Sequence, residues 1–311
     1  MATPADEGMT PKYHVPVLLK EVILGLQIEP SGTYVDCTFG GGGHSRAVLA
    51  ELNEKGRLLV FDQDADAIQN LPDDKRVTFI PHNFRHLQRF LKLHNVSHVN
   101  GMLADLGVSS HQFDEPARGF STRFEGMLDM RMDKRQEQRA FDIISTYTEQ
   151  RLHKMFEQYG EVTNSKTLAR MIVEVRENVS LETITNFKNA LQAIVKGNPQ
   201  KYFAQVFQAL RIEINDELGS LKDMLSQVPQ VLISGGRIAV ITFHSLEDRI
   251  VKQFFKKGNF EEEEEENPFI NRIDRNPFKI ITKKPVVPGE EELSMNPRAR
   301  SAKLRIAEKI E

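Results

Sequence analysis

Short β-branched and aromatic runs alternate with helical stretches through the first third of the chain. The runs at 33–38, 58–62, 77–81 and 99–105 are apolar, and each is followed by a mixed segment of helical length. Such alternation predicts a parallel sheet with helices on both faces. The pattern changes after Asp105. From about 112 to about 201 no strand signal is present, and apolar residues recur at helical spacing: Leu152, Met155, Phe156 and Tyr159, then Leu168, Ile172 and Val175, then Ile184, Phe187, Leu191 and Ile194. Gly160 and Gly197 stand where helix C-caps belong. One long helix is expected to run through Phe203, Phe207, Leu210, Ile214, Leu218 and Leu221, and all these stripes read as core. The sheet pattern resumes at Arg237-Ile-Ala-Val-Ile-Thr-Phe243, a fifth strand. Ser245 is expected to N-cap the next helix, with Ser245-Leu-Glu-Asp248 resembling a capping box. Segments 278–286 and 303–310 predict a closing antiparallel pair. The expectation is an α/β domain of residues 1–111 and 202–311, interrupted between its fourth and fifth strands by an all-helical domain over 112–201. A module there would stand above the carboxyl ends of the strands, where a lid or substrate-recognition element belongs.

Size and composition narrow the class. The chain has 311 residues, enough for one large or two ordinary domains, and a net charge of −3, so no global positive field announces nucleic acid. The single cysteine, Cys37, excludes a disulfide framework and any cysteine-based zinc cluster. The N-terminus lacks a basic and apolar leader, and no apolar run approaches membrane length, so a soluble cytoplasmic protein without membrane contact is expected. Charge is unevenly spread: an unbroken acidic run at 261–266 reads as a solvated loop. The tail after it is basic, with Arg272, Arg275, Lys279, Lys283, Lys284, Arg298, Arg300, Lys303 and Arg305 interleaved with Phe269, Phe278 and prolines.

The most informative stretch is Tyr34-Val-Asp-Cys-Thr-Phe-Gly-Gly-Gly-Gly-His-Ser45. It reads as a strand, four glycines, and a helix starting near Ser45. Consecutive glycines let the backbone pass close to a ligand, and the helix N-terminus behind them aims free N–H groups at it. The dinucleotide fingerprint Gly-x-Gly-x-x-Gly fails, because its frame gives Gly40-x-Gly42-x-x-Ser45. Asp36-x-Thr38-x-Gly40-x-Gly42 instead resembles the first motif of S-adenosylmethionine-dependent methyltransferases, with threonine where many have a glycine. Asp62 ends the second strand, where an acid accepts the ribose hydroxyls of a nucleoside. NAD and S-adenosylmethionine both carry that ribose, so Asp62 does not separate them.

Other constellations carry less. Ala104-Asp-Leu-Gly-Val-Ser-Ser110 ends the fourth strand and faces the same crevice, as a polar turn or a turn that is also a site. His82-x-x-x-His86 and His94-x-x-x-His98 have metal-ligand spacing, but without a cysteine or an intervening glutamate they read as ordinary helix positions, and no metal is assigned. There is no Gly-x-Ser-x-Gly elbow and no Walker lysine. Cys37, inside a buried strand, cannot serve the covalent chemistry of cytosine-C5 methylation, so a cytosine substrate would be methylated on nitrogen.

Several long segments together resemble the bacterial 16S ribosomal RNA cytosine-N4 methyltransferases, which act on cytosine 1402 of the decoding centre. They are His14-Val-Pro-Val-Leu-Leu, the 36–44 loop, Asp105-Leu-Gly-Val-Ser-Ser-x-Gln112, Arg118-Gly-Phe-Ser, Leu128-Asp-Met-Arg-Met-Asp133 and Phe207-Gln-Ala-Leu-Arg-Ile-x-x-Asn-Asp-Glu-Leu218. To these add 236–252, with Thr242-Phe-His-Ser-Leu-Glu-Asp248, and Asn296-Pro-Arg-Ala-Arg-Ser-Ala-Lys-Leu-Arg305. The resemblance implies a class I, Rossmann-like methyltransferase sheet with an inserted helical domain, S-adenosyl-L-methionine as cofactor, and 16S rRNA in the small ribosomal subunit as partner, with a homodimer allowed. It implies that Gly42, Gly43 and His44 cradle the methionine end, Asp62 binds the ribose, Phe84 packs near the adenine, and Asp105 and Gln112 complete the pocket. Two departures stand out: Val162-Thr-Asn164 replaces a basic-aromatic pattern, and the 261–266 run is unusually acidic.

The exocyclic amine of cytosine is a weak nucleophile, so the protein must supply in-line geometry and a hydrogen-bond acceptor as the amine pyramidalises. The Asn/Asp/Ser-Pro-Pro-aromatic motif of many base-amine methyltransferases is missing; Asp105-Leu-Gly-Val holds its place. Asp105 is therefore the candidate catalytic residue. The target base must be unstacked, with Arg118, Phe120, Arg131 and the basic tail as candidate RNA contacts. Arg131 reads equally well as an ion-pair partner of Asp129 or Asp133. The alternatives are a same-fold methyltransferase acting on another nucleic acid or protein, a nicotinamide oxidoreductase, and a non-catalytic RNA-binding assembly factor.

Overall fold

The computed structural model describes residues 16–260 and 276–310. His14, Val15, the acidic run at 261–266, Phe269, Arg272 and Arg275 lie outside the described residues. Seven strands form one sheet: β1 (Thr33–Asp36), β2 (Arg57–Phe61), β3 (Val77–Ile80), β4 (Val99–Asp105), β5 (Leu232–Thr242), β6 (Phe278–Ile280) and β7 (Lys303–Lys309). Their spatial order is 3-2-1-4-5-7-6. β1 to β5 are mutually parallel, and β7 runs antiparallel between β5 and β6. The strand order reverses at β1, which lies between β2 and β4, and that reversal opens a crevice at their carboxyl ends.

Period-two alternation sorts the strand side chains between two layers. Tyr34, Leu58 and Val60 pack with α1 (Leu19–Leu26) and α2 (Gly43–Glu51). Val35, Leu59 and Phe61 face the other way, onto α3 (Leu87–Leu93) and onto helices that follow later in the chain. Between β4 and β5 the described chain is helical: α4 (Ser110–Asp114), α5 (Ala140–Thr146), α6 (Glu149–Gln158), α7 (Ser165–Val175), α8 (Ile184–Leu191), α9 (Pro199–Asn215) and α10 (Glu217–Val231). Buried residues from Phe120 to Ile214 make one apolar cluster that contains no strand residue. α10 and α11 (Ser245–Lys257) return to the sheet, and α12 (Glu290–Met295) precedes β7.

Local chemistry moved several elements from where the sequence pattern put them. The expected single helix through Leu221 is two helices, because Asp216 adopts a left-handed conformation (φ 46°, ψ 47°) between α9 and α10. Aspartate tolerates that region better than most residues, and Arg85 holds its carboxylate at 2.9 Å. The N-cap of α11 is His244 rather than Ser245: the Glu247 carboxylate accepts from the backbone N–H groups of Phe243 (2.8 Å) and His244 (3.4 Å), closing the capping box one residue early. α2 begins at Gly43, two residues before Ser45. Neither histidine pair sits on one helix; His82 lies in a loop, its ring stacked 4.3 Å from Phe90, and His94 ends α3.

Candidate cofactor and acceptor site

The crevice at the carboxyl ends of β1, β2 and β4 is a cavity of about 790 Å³. One wall is the glycine loop. Gly40 (φ +49°) and Gly42 (φ +72°) take conformations that side chains resist, and a Cβ on Gly43 would stand 2.2 Å from Pro16. Gly40, Gly41 and Gly43 line the cavity, and an added Cβ on Gly41 would meet nothing within 4 Å. Gly42 is not among the residues that line it. It is the N-cap of α2, packed so that a Cβ would lie 2.9 Å from the Phe39 ring. Its part is to shape the turn.

Beneath the loop Asp36 is buried, accepting from Ser45 Oγ at 2.6 Å and from the Thr38 backbone N–H at 3.0 Å. Burial raises its pKa, with the Ser45 and Thr38 hydrogen bonds opposing. Thr38 Oγ1 in turn accepts from the Asp105 backbone N–H at 2.7 Å, tying the end of β1 to the end of β4.

Asp62 closes the second side. Its Oδ2 accepts from the Gly40 N–H (2.7 Å) and its Oδ1 from the Asp64 N–H (2.8 Å), while burial pushes its pKa up to about 6. Phe84 lines the cavity next to Asn83, whose amide donates to Gln63 (2.9 Å) and Ser220 (3.2 Å). Gln112 lines the cavity and is held from both ends of its amide. Its amide donates to Asp64 Oδ2 at 2.8 Å and accepts from the Ser109 N–H at 3.1 Å. Arg118 donates to the same Asp64 oxygen at 2.6 Å and to the carbonyls of Arg131 and Met132 at 3.0 and 3.1 Å. That buried pair pins the helical segment to the β2 side of the site.

Asp105 ends β4 at the far wall. His44 Nε2 lies 2.9 Å from the Val17 carbonyl and donates to it, which leaves Nδ1 facing Asp105 Oδ2 at 3.6 Å. Asp105 Oδ1 is buried with no hydrogen-bond partner. Burial pushes this carboxyl up to about 6, with His44 opposing. Deeper along the same wall, Arg211 donates to Glu217 (2.7 Å) and His244 Nε2 lies 3.2 Å from Glu247. Burial raises the Glu217 pKa; burial would raise Glu247 too, but His244 and Arg211 outweigh it and hold that carboxyl low. Glu217, His244 and Glu247 form the one group among the described residues with ligand atoms close enough to share a metal, and the Arg211 guanidinium already supplies its positive charge.

Two expected RNA contacts are structural. Arg118 is buried on Asp64, and Phe120 belongs to the helical core, so neither can reach a polymer. Arg131 takes its ion-pair reading, 2.8 Å from Asp129.

The model of the MraW methylase family matches residues 12–310. The chain belongs to that family. Its curated relatives include the ribosomal RNA small subunit methyltransferase H of Parabacteroides distasonis, 53% identical over 96% of this chain and 98% of the relative. The protein of the same name from Flavobacterium johnsoniae is 50% identical over 97% and 99%. Among solved structures, an rRNA methylase from Streptococcus thermophilus covers 94% of this chain and 95% of its own at 10% identity, with a TM-score of 0.40. As a member of the MraW methylase family the protein is a methyltransferase that uses S-adenosylmethionine. The cavity fits that cofactor: open glycine backbone, a carboxylate after β2, an aromatic wall, and a volume within the range of about 300–1,000 Å³ usual for such ligands.

Asp64, Asn83, Arg211, Glu217 and Glu247 were not singled out from the sequence, though all but Asp64 line the cavity. Glu247 stands inside a quoted motif, and its i+3 spacing from His244 was the available signal. Asp64 offered none, because its partners come from 48 and 54 residues away.

Proposed function

We propose that this protein transfers a methyl group to the N4 amine of a cytosine in the decoding centre of 16S rRNA, acting on the small ribosomal subunit in the cytoplasm. The observation that carries the reading is Asp105: it lines the cavity that holds the glycine loop, and its Oδ1 is buried with no hydrogen-bond partner. The relatives' name, ribosomal RNA small subunit methyltransferase H, supplies the RNA class. Segment 112–201 serves as the substrate-recognition element.

Bound S-adenosylmethionine supplies an electrophilic methyl group. Gly40, Gly41 and Gly43 hold its methionine end, Asp62 accepts from the ribose hydroxyls, and Phe84 packs beside the adenine. His44 borders Asp105, with its Nε2–H fixed on the Val17 carbonyl and its Nδ1 3.6 Å from the carboxylate, beyond hydrogen-bond reach. Asp105 accepts a hydrogen bond from the amine, which draws the nitrogen lone pair out of conjugation, and takes the proton released when the N–C bond forms. A carboxyl near 6 is ionised at neutral pH and is still basic enough to hold that proton.

Mass mapping of 16S rRNA from cells with and without the gene tests this. One methyl group on a decoding-centre cytosine should vanish on deletion, return with wild type, and stay absent with Asp105→Asn. An unchanged cytosine in the deletion strain would assign the pocket to another acceptor.

A further inference from the structure

The mouth of the cavity carries a charged aromatic stack that the methyl-transfer chemistry leaves unused. Phe113, the residue after Gln112 on α4, has the guanidinium of Arg123 5.3 Å from its ring centroid and that of Arg298 5.0 Å away. All three residues line the cavity. They come from three separated parts of the chain: α4, the loop that follows it, and the turn Pro297–Ser301 before β7. Arg298 is firmly mounted, because its backbone N–H is capped by buried Asn296 (3.2 Å) and the adjacent Ala299 is fully buried. Its Nη1 donates to Asp114 at 2.9 Å. Arg123 is exposed.

Stacking on an aromatic ring fixes a guanidinium plane and leaves its N–H edge pointing outward. Two guanidinium groups over one ring, both lining the cavity, form a basic fork beside the pocket. A flipped base can enter the pocket, but its phosphates stay at the rim. We infer that Arg123 and Arg298, levelled by Phe113, clamp the backbone phosphates flanking the target nucleotide of a single-stranded RNA segment. This rests on the RNA reading above. Asp114 then acts as the resident counter-ion, which phosphate displaces from Arg298.

A bland role is available, in which Arg298 merely ties the C-terminal segment to α4 through Asp114. The two roles separate cleanly. Binding of the full-length protein with S-adenosylhomocysteine to unmethylated small ribosomal subunits is measured across a potassium chloride series. Arg123→Ala and Arg298→Ala should each flatten the slope of log affinity against log salt by about 0.7, the value for one phosphate on a single strand. In the alanine variants KM for subunits should rise more than kcat falls, and lysine at either position should restore the slope. Asp114→Asn breaks the tether but spares the charges, so it should bind as tightly as wild type or tighter. Unchanged slopes in both alanine variants, or an Asp114→Asn loss that copies Arg298→Ala, would overturn the clamp. If wild type itself neither binds nor methylates subunits while still binding cofactor, the RNA reading falls and the clamp with it. If wild type methylates them and the slopes do not move, the clamp alone falls.

Discussion

Asp62 and Asp105 flank β1 on opposite sides, after β2 and at the end of β4, and burial pushes both carboxyls to about 6. They differ in what they touch. Both Asp62 oxygens hold backbone N–H groups, from Gly40 and Asp64. Asp105 has one oxygen toward His44 and one toward nothing. The first carboxylate is finished before any ligand arrives; its charge is compensated by the loop that it also shapes, and spare lone pairs remain for hydroxyls. The second is left incomplete in the free protein, and an unpaired buried acceptor is costly. Equal burial therefore accompanies two different environments, which match the binding and proton-acceptor roles proposed for these carboxylates.

Asp105→Asn should break the comparison hardest. Turnover on small subunits should fall by about 10²–10⁴, the usual contribution of a positioned proton acceptor, while cofactor affinity changes far less. Full turnover in labelled-methyl transfer would remove the acceptor role. The next largest effect belongs to the strut that supports the finished side. Arg118→Met leaves Asp64 buried without its cation and should cost about 3–5 kcal/mol in denaturant unfolding. Adding Asp64→Asn should recover much of that, because the two sites are coupled. Asp62→Asn should be milder, weakening cofactor binding by about 1.5–3 kcal/mol in titration calorimetry with turnover at saturation less affected. A variant that binds cofactor normally would move the ribose contact elsewhere.

The α/β half was legible because its signals are local. Period-two apolar runs, the glycine loop and Asp62 at a strand end all lie within short windows, and β1 to β4 fall within two residues of the expected positions. The apolar stripes of the helical segment were equally readable, since Leu152, Leu168, Ile172, Phe187 and Leu191 are fully buried. What sequence could not show were pairings across long separations. In sequence Arg118 reads as an RNA contact because its carboxylate partners, Asp64 and Asp66, lie more than 50 residues away, and nothing local to Phe120 marks it as part of the helical core. Arg298 reached the mouth of the site only through the fold, 184 residues from Asp114. Gly42 shows the finer limit: four consecutive glycines gave no means of telling which faces the ligand and which bends the chain.

The pH dependence sharpens the comparison with the smallest expected effect. An unfolded aspartate titrates near 3.9, so a folded value near 6 means that the native state binds the Asp105 proton more tightly. Its contribution to stability is therefore fully present below about 4 and is lost as pH rises through about 6. Above that, the ionised carboxylate that the proposed proton transfer requires is also a buried charge that the fold must accommodate. Asp105→Asn should accordingly be more stable than wild type at pH 7.5 by roughly 1–3 kcal/mol, with the gap closing toward pH 4. Wild-type kcat should fall below about pH 6 as the acceptor gains its proton. Asp62→Asn should gain less, because the amide cannot accept both N–H bonds that the carboxylate accepts and loses them in part. Equal stabilisation of the two variants would mean that the backbone donors at Asp62 do nothing for its charge, and the distinction between a finished and an open carboxylate would fail.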